Sequence, residues 1–462
     1  MLSANRANKL IRCLTKNNYC KLTILRTFSA GSIDTMSQSV DYDRFINDLS
    51  ARRKVSPIRE LTKLFTTAPP GTIFLAGGIP NGSTFPFSRM TVELKDGATF
   101  KLEGKKIENA LQYQPTPGYP PLVEQLQKFQ TQVHGLDSTF WQKNSLLVST
   151  GSQDALCKAL EMSLSEGDPI LVQEPIYPGT SAIIRPLNAN MVPIGQDEHG
   201  IVPSALRSAL SNYGSPEKVS SMKKDVPKLL YLNSTGANPT GATIPAERKK
   251  EIYDIACEFN LVILEDDPYY FLHFEEIDPV SFLSMDRDSR VLRFDSFSKI
   301  LSSGLRVGFV TGPKELVSRI ELHTQASTMH TSALSQAIVS SLLDEWGSEK
   351  LLQHFKMIQQ FYKGKRDCML ASANKHLKGL AEWSVPRAGM FLWIKVPGIA
   401  DTKKLITEGG IEHGVILVPG KDFLAYDDAQ SQYFRASYTV ASPEDIDKGF
   451  ARLANLIKAE IA

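Results

Sequence analysis

From about residue 145 the chain alternates short apolar runs with longer stretches whose apolar positions recur every three or four residues. The short runs are Leu146–Ser149, Ile170–Gln173, Leu229–Leu232, Leu261–Glu265, Val291–Asp295 and Val307–Thr311. Almost continuous apolarity over so few residues predicts strands covered on both faces. Between them, Ala246–Phe259 places Ile252, Ile255, Ala256 and Phe259 on one helical face, and Asn260 marks the turn into the next strand. Such alternation predicts a mostly parallel α/β sheet, and ligands of such sheets lie beyond the carboxyl ends of the strands.

The flanking segments read differently. Tyr42, Phe45, Ile46 and Leu49 are helix-spaced, and Ser56-Pro57-Ile58-Arg59 breaks that pattern. Ile73–Pro80 reads as a short apolar strand entering a glycine turn. After residue 345 a helical pattern runs towards Leu377, with Gly379 suited to its end. Strands are then expected at Gly389–Val396, Val415–Val418 and Tyr433–Tyr438, before a closing helix opened by Pro443. This predicts a large domain over residues 81–345 and a smaller α+β domain over 346–462, preceded by an arm at 29–80 that leads into the small domain.

Residues 1–28 form a separate unit. Arg6, Lys9, Arg12, Lys16, Lys21 and Arg26 precede the first acid, Asp34, with Leu10, Ile11, Leu14, Leu22 and Leu25 interleaved. That acid-poor, amphipathic composition predicts a mitochondrial transit peptide cleaved after Phe28, hence a matrix protein; Met36 offers an internal start for a cytoplasmic form. Over the whole chain 52 basic and 50 acidic residues nearly balance, which argues against a nucleic-acid surface. No apolar run reaches the ~20 residues of a membrane span. The five cysteines are scattered with no Cys-x-x-Cys pair, so neither a disulfide framework nor a metal site is expected.

Chemistry concentrates at the predicted strand ends. Ser149-Thr150-Gly151-Ser152-Gln153 joins a strand to a helix, whose free N–H groups suit an anion. Asp266, in Glu265-Asp266-Asp267-Pro268-Tyr269, follows an apolar strand and would be costly there unless paired. Asp295-Ser296-Phe297-Ser298-Lys299 follows another, with Arg306 downstream. Together with Asn238-Pro239-Thr240-Gly241, these supply what pyridoxal 5′-phosphate requires. Lys299 is an amine for the aldehyde and Asp266 a carboxylate for the ring nitrogen. Ser296, Ser298 and Arg306 are donors for the phosphate, and Asn238 and Tyr269 suit the phenolic oxygen. Tyr177 offers a flat face for stacking.

These motifs resemble the class I/II aminotransferases of fold type I, over nearly all of residues 41–462. Further strings carry the resemblance: Ser56-Pro57-Ile58-Arg59, Leu75-Ala76-Gly77-Gly78, Leu111-Gln112-Tyr113, Asp266-Asp267-Pro268-Tyr269-Tyr270-Phe271 and Gly389-Met390-Phe391-Leu392-Trp393. The resemblance implies a mostly parallel seven-stranded sheet sandwiched by helices, and a homodimer with shared active sites. It implies that Lys299 is the Schiff-base lysine, Asp266 the ring-nitrogen partner, and Asn238 with Tyr269 the phenolic-oxygen contacts. Ser152, Gln153, Ser296, Ser298 and Arg306 would hold phosphate, with Tyr113 reaching that of the neighbouring subunit. Arg435 would clamp the substrate carboxylate bidentately, while Arg59 and Gly78 would meet the rest of the substrate.

Amino acids and 2-oxo acids are the implied partners, with kynurenine and/or α-aminoadipate as donors and 2-oxoglutarate as acceptor. Family members acting on aromatic amino acids are the alternative. A lyase or decarboxylase could share the lysine and aspartate. A transcription regulator on the same fold would need a DNA-binding module ahead of Asp41, where no helix-turn-helix pattern occurs. One departure is Asn233-Ser234-Thr235-Gly236-Ala237, where close relatives are richer in Asn and Gly.

Overall fold

The computed structural model describes residues 40–57, 68–73, 75 and 78–461. The transit-peptide segment, Met36 and Arg59 lie outside the described residues. Two strands, β1 (Arg89–Glu93) and β2 (Thr99–Glu103), form an antiparallel hairpin. The main sheet is built from β3 (Asn144–Ser149), β4 (Pro169–Glu174), β5 (Asn190–Asp197), the two-residue β6 (Gly200–Ile201), β7 (Leu229–Leu232), β8 (Val262–Asp266), β9 (Val291–Ser296) and β10 (Gly308–Pro313). Their order is β3-β10-β9-β8-β7-β4-β5-β6. The run β9-β8-β7-β4-β5 is parallel. Strand β10 runs antiparallel to both β3 and β9, so β3 points the same way as β9. The expected seven-stranded, mostly parallel sheet is present, with β6 added at one edge.

Strand β8 shows why the continuous apolar runs belong here. Val262 and Leu264 enter one core, together with the helices Ser152–Ser163 and Lys314–Ser327, while Ile263 enters another with the helix Ala246–Glu258. A strand residue alternates between faces, so apolarity at every position means helices on both sides. A second, four-stranded antiparallel sheet has the order β11 (Glu382–Trp383), β12 (Phe391–Lys395), β14 (Tyr433–Ser437), β13 (Val418–Pro419). It packs on the closing helix Pro443–Ile461 through Leu392, Ile394, Phe434, Phe450 and Leu453.

Several expectations need correction. Among the described residues of 73–80 there is no strand, and Ile73 and Leu75 are 82% and 92% exposed, so apolarity there does not mark a core position. Only Val418 of Val415–Val418 enters a strand. Helical spacing over Tyr42–Leu49 resolves into a 3-10 turn, Tyr42–Phe45, and a short helix, Asp48–Ala51. Asn47 separates them: its carbonyl caps the second by accepting from Ser50 N at 2.8 Å, while its amide donates to Glu161 and Leu164 carbonyls. The long helix Ala333–His376 is broken at Gly347, whose φ of 58° combined with ψ of −176° is open essentially to glycine.

Leu264 is fully buried between these layers. Leu264→Ala is expected to destabilise the protein by about 2–5 kcal/mol, the usual cost of an unfilled core leucine, measured as a lowered denaturant midpoint at unchanged slope.

Candidate active site

Because β3, β4, β7, β8 and β9 share a direction, their carboxyl ends meet along one edge of the sheet, and antiparallel β10 begins there. Ser152 and Gln153 follow β3, Tyr177 follows β4, Asn238 follows β7, and Asp266 closes β8 with Tyr269 just beyond. Ser296 ends β9, Ser298 and Lys299 follow it, and Arg306 precedes β10. Topology alone thus gathers residues that are distant in the chain.

The phosphate-type donors are tightly arranged. Arg306 adopts a left-handed backbone (φ 52°) and donates from Nη1 to Ser298 Oγ at 3.1 Å and from Nη2 to the Thr150 carbonyl at 3.2 Å. Its guanidinium lies directly against Gly151, where any side chain would collide with it. Gly308 is equally confined: a Cβ there would stand 2.5 Å from the Ser152 nitrogen. The two glycines let Arg306 and the start of the helix Ser152–Ser163 share one small space, where free N–H groups favour an anion. Gln153 donates its amide to the Gly179 carbonyl at 2.7 Å, bracing the loop that carries Tyr177.

Asp266 sits at the floor, 4% exposed. Its Oδ2 accepts from the Tyr231 hydroxyl at 2.9 Å and from Asn233 Nδ2 at 3.2 Å. Among the described residues it has no ion-pair partner. Loss of solvation pushes its carboxyl up to about 6, against those two hydrogen bonds and aided by the nearby charges of Asp267 and Asp295. Tyr269 is buried edge-on to Phe391, and burial raises its phenol.

Arg435, on β14, joins the small sheet to this edge by donating from Nη1 to Asn238 Oδ1 at 2.8 Å. Its guanidinium lies 4.2 Å over the Phe391 ring, its Nε is buried without a partner, and burial lowers its pKa. The Lys299 amine is half-buried, and its pKa is lowered by loss of solvation and then by the charges of Arg306 and Arg435. Among the described residues none of Lys299, Arg306 and Arg435 has a carboxylate partner.

A family profile described as aminotransferase class I and II matches residues 82–453. The chain belongs to this family. It is 47% identical to the mitochondrial kynurenine/α-aminoadipate aminotransferase of Mus musculus over 426 residues, which covers 91% of this chain and all (100%) of the relative. A solved aminotransferase from Candida albicans superposes with a TM-score of 0.80 at 28% identity, covering 92% of this chain and 99% of that one. A Pyrococcus horikoshii kynurenine aminotransferase, solved with PMP, KYN as substrates and KYA as products, superposes at 0.70 with 29% identity, covering 91% and 99%.

Pyridoxal 5′-phosphate is the cofactor of this aminotransferase, and the site fits it. Three unpaired cations face one edge, enough for a phosphate dianion and a substrate carboxylate. The one buried acid there lacks a cation, as a partner for a protonated ring nitrogen should.

Among the remaining candidates, Tyr113 is exposed, with its ring edge-on to His330, and makes no hydrogen bond to the other candidates. Gly78 is also exposed, with open space around its Cα. The structure adds two residues that sequence reading missed, Tyr231 and Asn233. Tyr231 looked like ordinary core in an apolar strand. The available signal was spacing: Tyr231 and Asn233 lie two apart, so they face the same side, and polar atoms there at a strand end imply a polar neighbour.

Since the folded value of Asp266 (about 6) lies above the unfolded one (3.8), burying it ionised destabilises the cofactor-free protein as pH rises from 4 to 6. Cofactor-free Asp266→Asn should therefore be more stable than wild type at pH 8, by up to about 3 kcal/mol, and lose that advantage near pH 4. Thermal unfolding at the two pH values measures it.

Proposed function

We propose that this aminotransferase moves the amino group of kynurenine and/or α-aminoadipate to 2-oxoglutarate by a ping-pong mechanism through Lys299. The observation that carries the reading is that Lys299, Arg306 and Arg435, none with a carboxylate partner among the described residues, gather at the same sheet edge as the buried acid Asp266, which has no ion-pair partner among them. Near-half identity to the mouse relative along that protein's whole length supports the choice of donors.

When bound, pyridoxal 5′-phosphate supplies an aldehyde conjugated to a ring that takes up electron density from the substrate Cα. Ser152, Gln153, Ser296, Ser298 and Arg306 hold its phosphate. Asp266, itself held by Tyr231 and Asn233, keeps the ring nitrogen protonated. Asn238 and Tyr269 would hold the cofactor on its phenolic-oxygen side, and Tyr177 would offer its ring a flat face. Lys299 would hold the cofactor through its amine, and as a free amine would carry the proton from the substrate Cα. Burial and the charges of Arg306 and Arg435 lower its pKa, the direction that this role as a base requires.

Arg435 clamps the substrate α-carboxylate, for which its cation–π contact with Phe391 and its bond to Asn238 fix the guanidinium plane. Arg59 and Gly78 meet the substrate side chain. Tyr113, exposed in the single chain, reaches the phosphate of a second subunit in a homodimer. A leader ending at Phe28 would direct the protein to the mitochondrial matrix; the alternative is a cytoplasmic form starting at Met36.

In wild type, borohydride should fix the cofactor to Lys299. Lys299→Ala should bind the cofactor non-covalently, yet transaminate on the order of a thousandfold more slowly or worse, since it removes the proton carrier as well as the anchor. Turnover near wild type would refute the assignment. With 2-oxoglutarate as acceptor, kynurenine and α-aminoadipate are expected to be the best donors in a panel. If both are inert and phenylalanine or tyrosine reacts, the substrate is an aromatic amino acid and only the family reading stands. Formation of one equivalent of 2-oxo acid from donor alone separates transamination from lyase or decarboxylase chemistry.

A further inference from the structure

On the face of the sheet opposite Asp266, the ends of β8 and β9 carry charges that the proposed chemistry does not use. Arg293 is fully buried in β9, paired in register with Glu265. Its guanidinium stands 3.1 Å from Glu265, 3.1 Å from Asp267 and 2.9 Å from Asp295, and 4.8 Å over the Tyr270 ring.

Every element packed around the cluster contributes to it. From the helix Pro120–His134, Gln130 donates to Asp295 at 3.3 Å. His134 on that helix lies edge-on to Tyr270 and 2.9 Å from Ser281; burial, then Arg293 and Lys249, press its pKa down, so it stays neutral. Lys249, buried on the helix Ala246–Glu258, donates to the Val280 carbonyl at 2.6 Å and adds a second positive charge. Backbone N–H groups of Phe282 and Leu283 donate to Glu265. After β7, Ser234 Oγ lies 3.0 Å from Glu265 and 2.9 Å from Asp267, and Thr235 Oγ1 donates to Asp267 at 3.1 Å.

Buried ion networks stabilise little compared with apolar packing of similar volume, so their retention calls for another role. Position supplies one here. Glu265 and Asp267 flank Asp266 in the chain, and Asp295 directly precedes the Ser296–Lys299 segment. A single guanidinium therefore ties the strand end bearing the site's acid to the strand end bearing its amine. Three carboxylates against two cations also leave one negative charge behind the sheet.

We infer that Arg293 is a positioning residue: by bridging Glu265, Asp267 and Asp295 it fixes Asp266 relative to the Lys299 segment, and the cluster it holds sets the electrostatic field at both. The inference rests on pyridoxal phosphate bound at Lys299. A wild-type holoenzyme without a visible cofactor band defeats that reading, whereas a normal band that ignores the cluster defeats only this one.

The test uses two holoenzyme variants. Asp295→Asn keeps size and removes one negative charge, so the proton on the Lys299 nitrogen loses a stabilising neighbour. The pH midpoint of the cofactor absorbance should fall by on the order of half a pH unit. Arg293→Lys keeps the charge but cannot bridge three carboxylates; kcat should fall by about tenfold or more, with KM for the amino donor changed by less than about threefold. If the cluster only supports the fold, both variants lose thermal stability while the midpoint and KM stay put and kcat holds. That result overturns the inference. Should Arg293→Lys fail to fold, the midpoint in Asp295→Asn decides alone.

Discussion

A carboxylate buried without a cation is the constraint around which this protein is arranged. Asp266 is closed off from water, held by a tyrosine and an asparagine rather than by a lysine or arginine, and its proton affinity is raised accordingly. Left alone, such a group costs stability. It would become favourable with a protonated heterocycle against it, which is the role proposed for the cofactor's ring nitrogen. The same logic applies with opposite sign to Lys299, Arg306 and Arg435, whose mutual repulsion is relieved by a phosphate and a substrate carboxylate.

The sheet makes this arrangement possible. Parallel strands deliver their carboxyl ends to one edge, and loops leaving that edge can be short because each strand already ends where chemistry is wanted. In the proposed reading the β3 and β9 ends hold the phosphate, and β7 and β8 hold the ring. The arginine for the substrate comes from a different sheet, linked through the bond between Arg435 and Asn238. Because one hydrogen bond joins the proposed substrate ligand to a proposed cofactor ligand, motion of the small sheet would be felt by both residues at once.

Behind the edge the two faces of the sheet divide the work. One carries the apolar core that includes Val262, Leu264 and Phe294, together with Tyr231 near Asp266. The other carries Ile263 and Val291 and then, towards the strand ends, the ion cluster of Arg293. Strand alternation makes this inevitable: if Asp266 faces the cofactor, Glu265 and Asp267 must face away, and in a doubly covered sheet they must find partners in the protein.

Much of this was legible in the chain. Leu229–Leu232 is read to the residue, and Ile170–Gln173 and Val291–Asp295 to within one at either end, because doubly buried strands leave a dense apolar signature. Strand β5 escaped, since Pro193, Gly195 and Gln196 dilute its pattern, and so did the β1–β2 hairpin, which is covered on one face only. Lys299, Asp266, Asn238 and Arg306 stood out because their chemistry is unusual at the ends of apolar runs. Tyr231, Asn233 and Arg293 did not, since each sits in a segment that looks like ordinary core or turn. Sequence by itself determined which groups are present and on which side of each strand they fall, because the two-residue period of a strand is a local property. Only the tertiary structure decided which ends meet, which charges remain unpaired and which carboxylate goes without a cation, because those depend on strand order and burial between residues far apart in the chain.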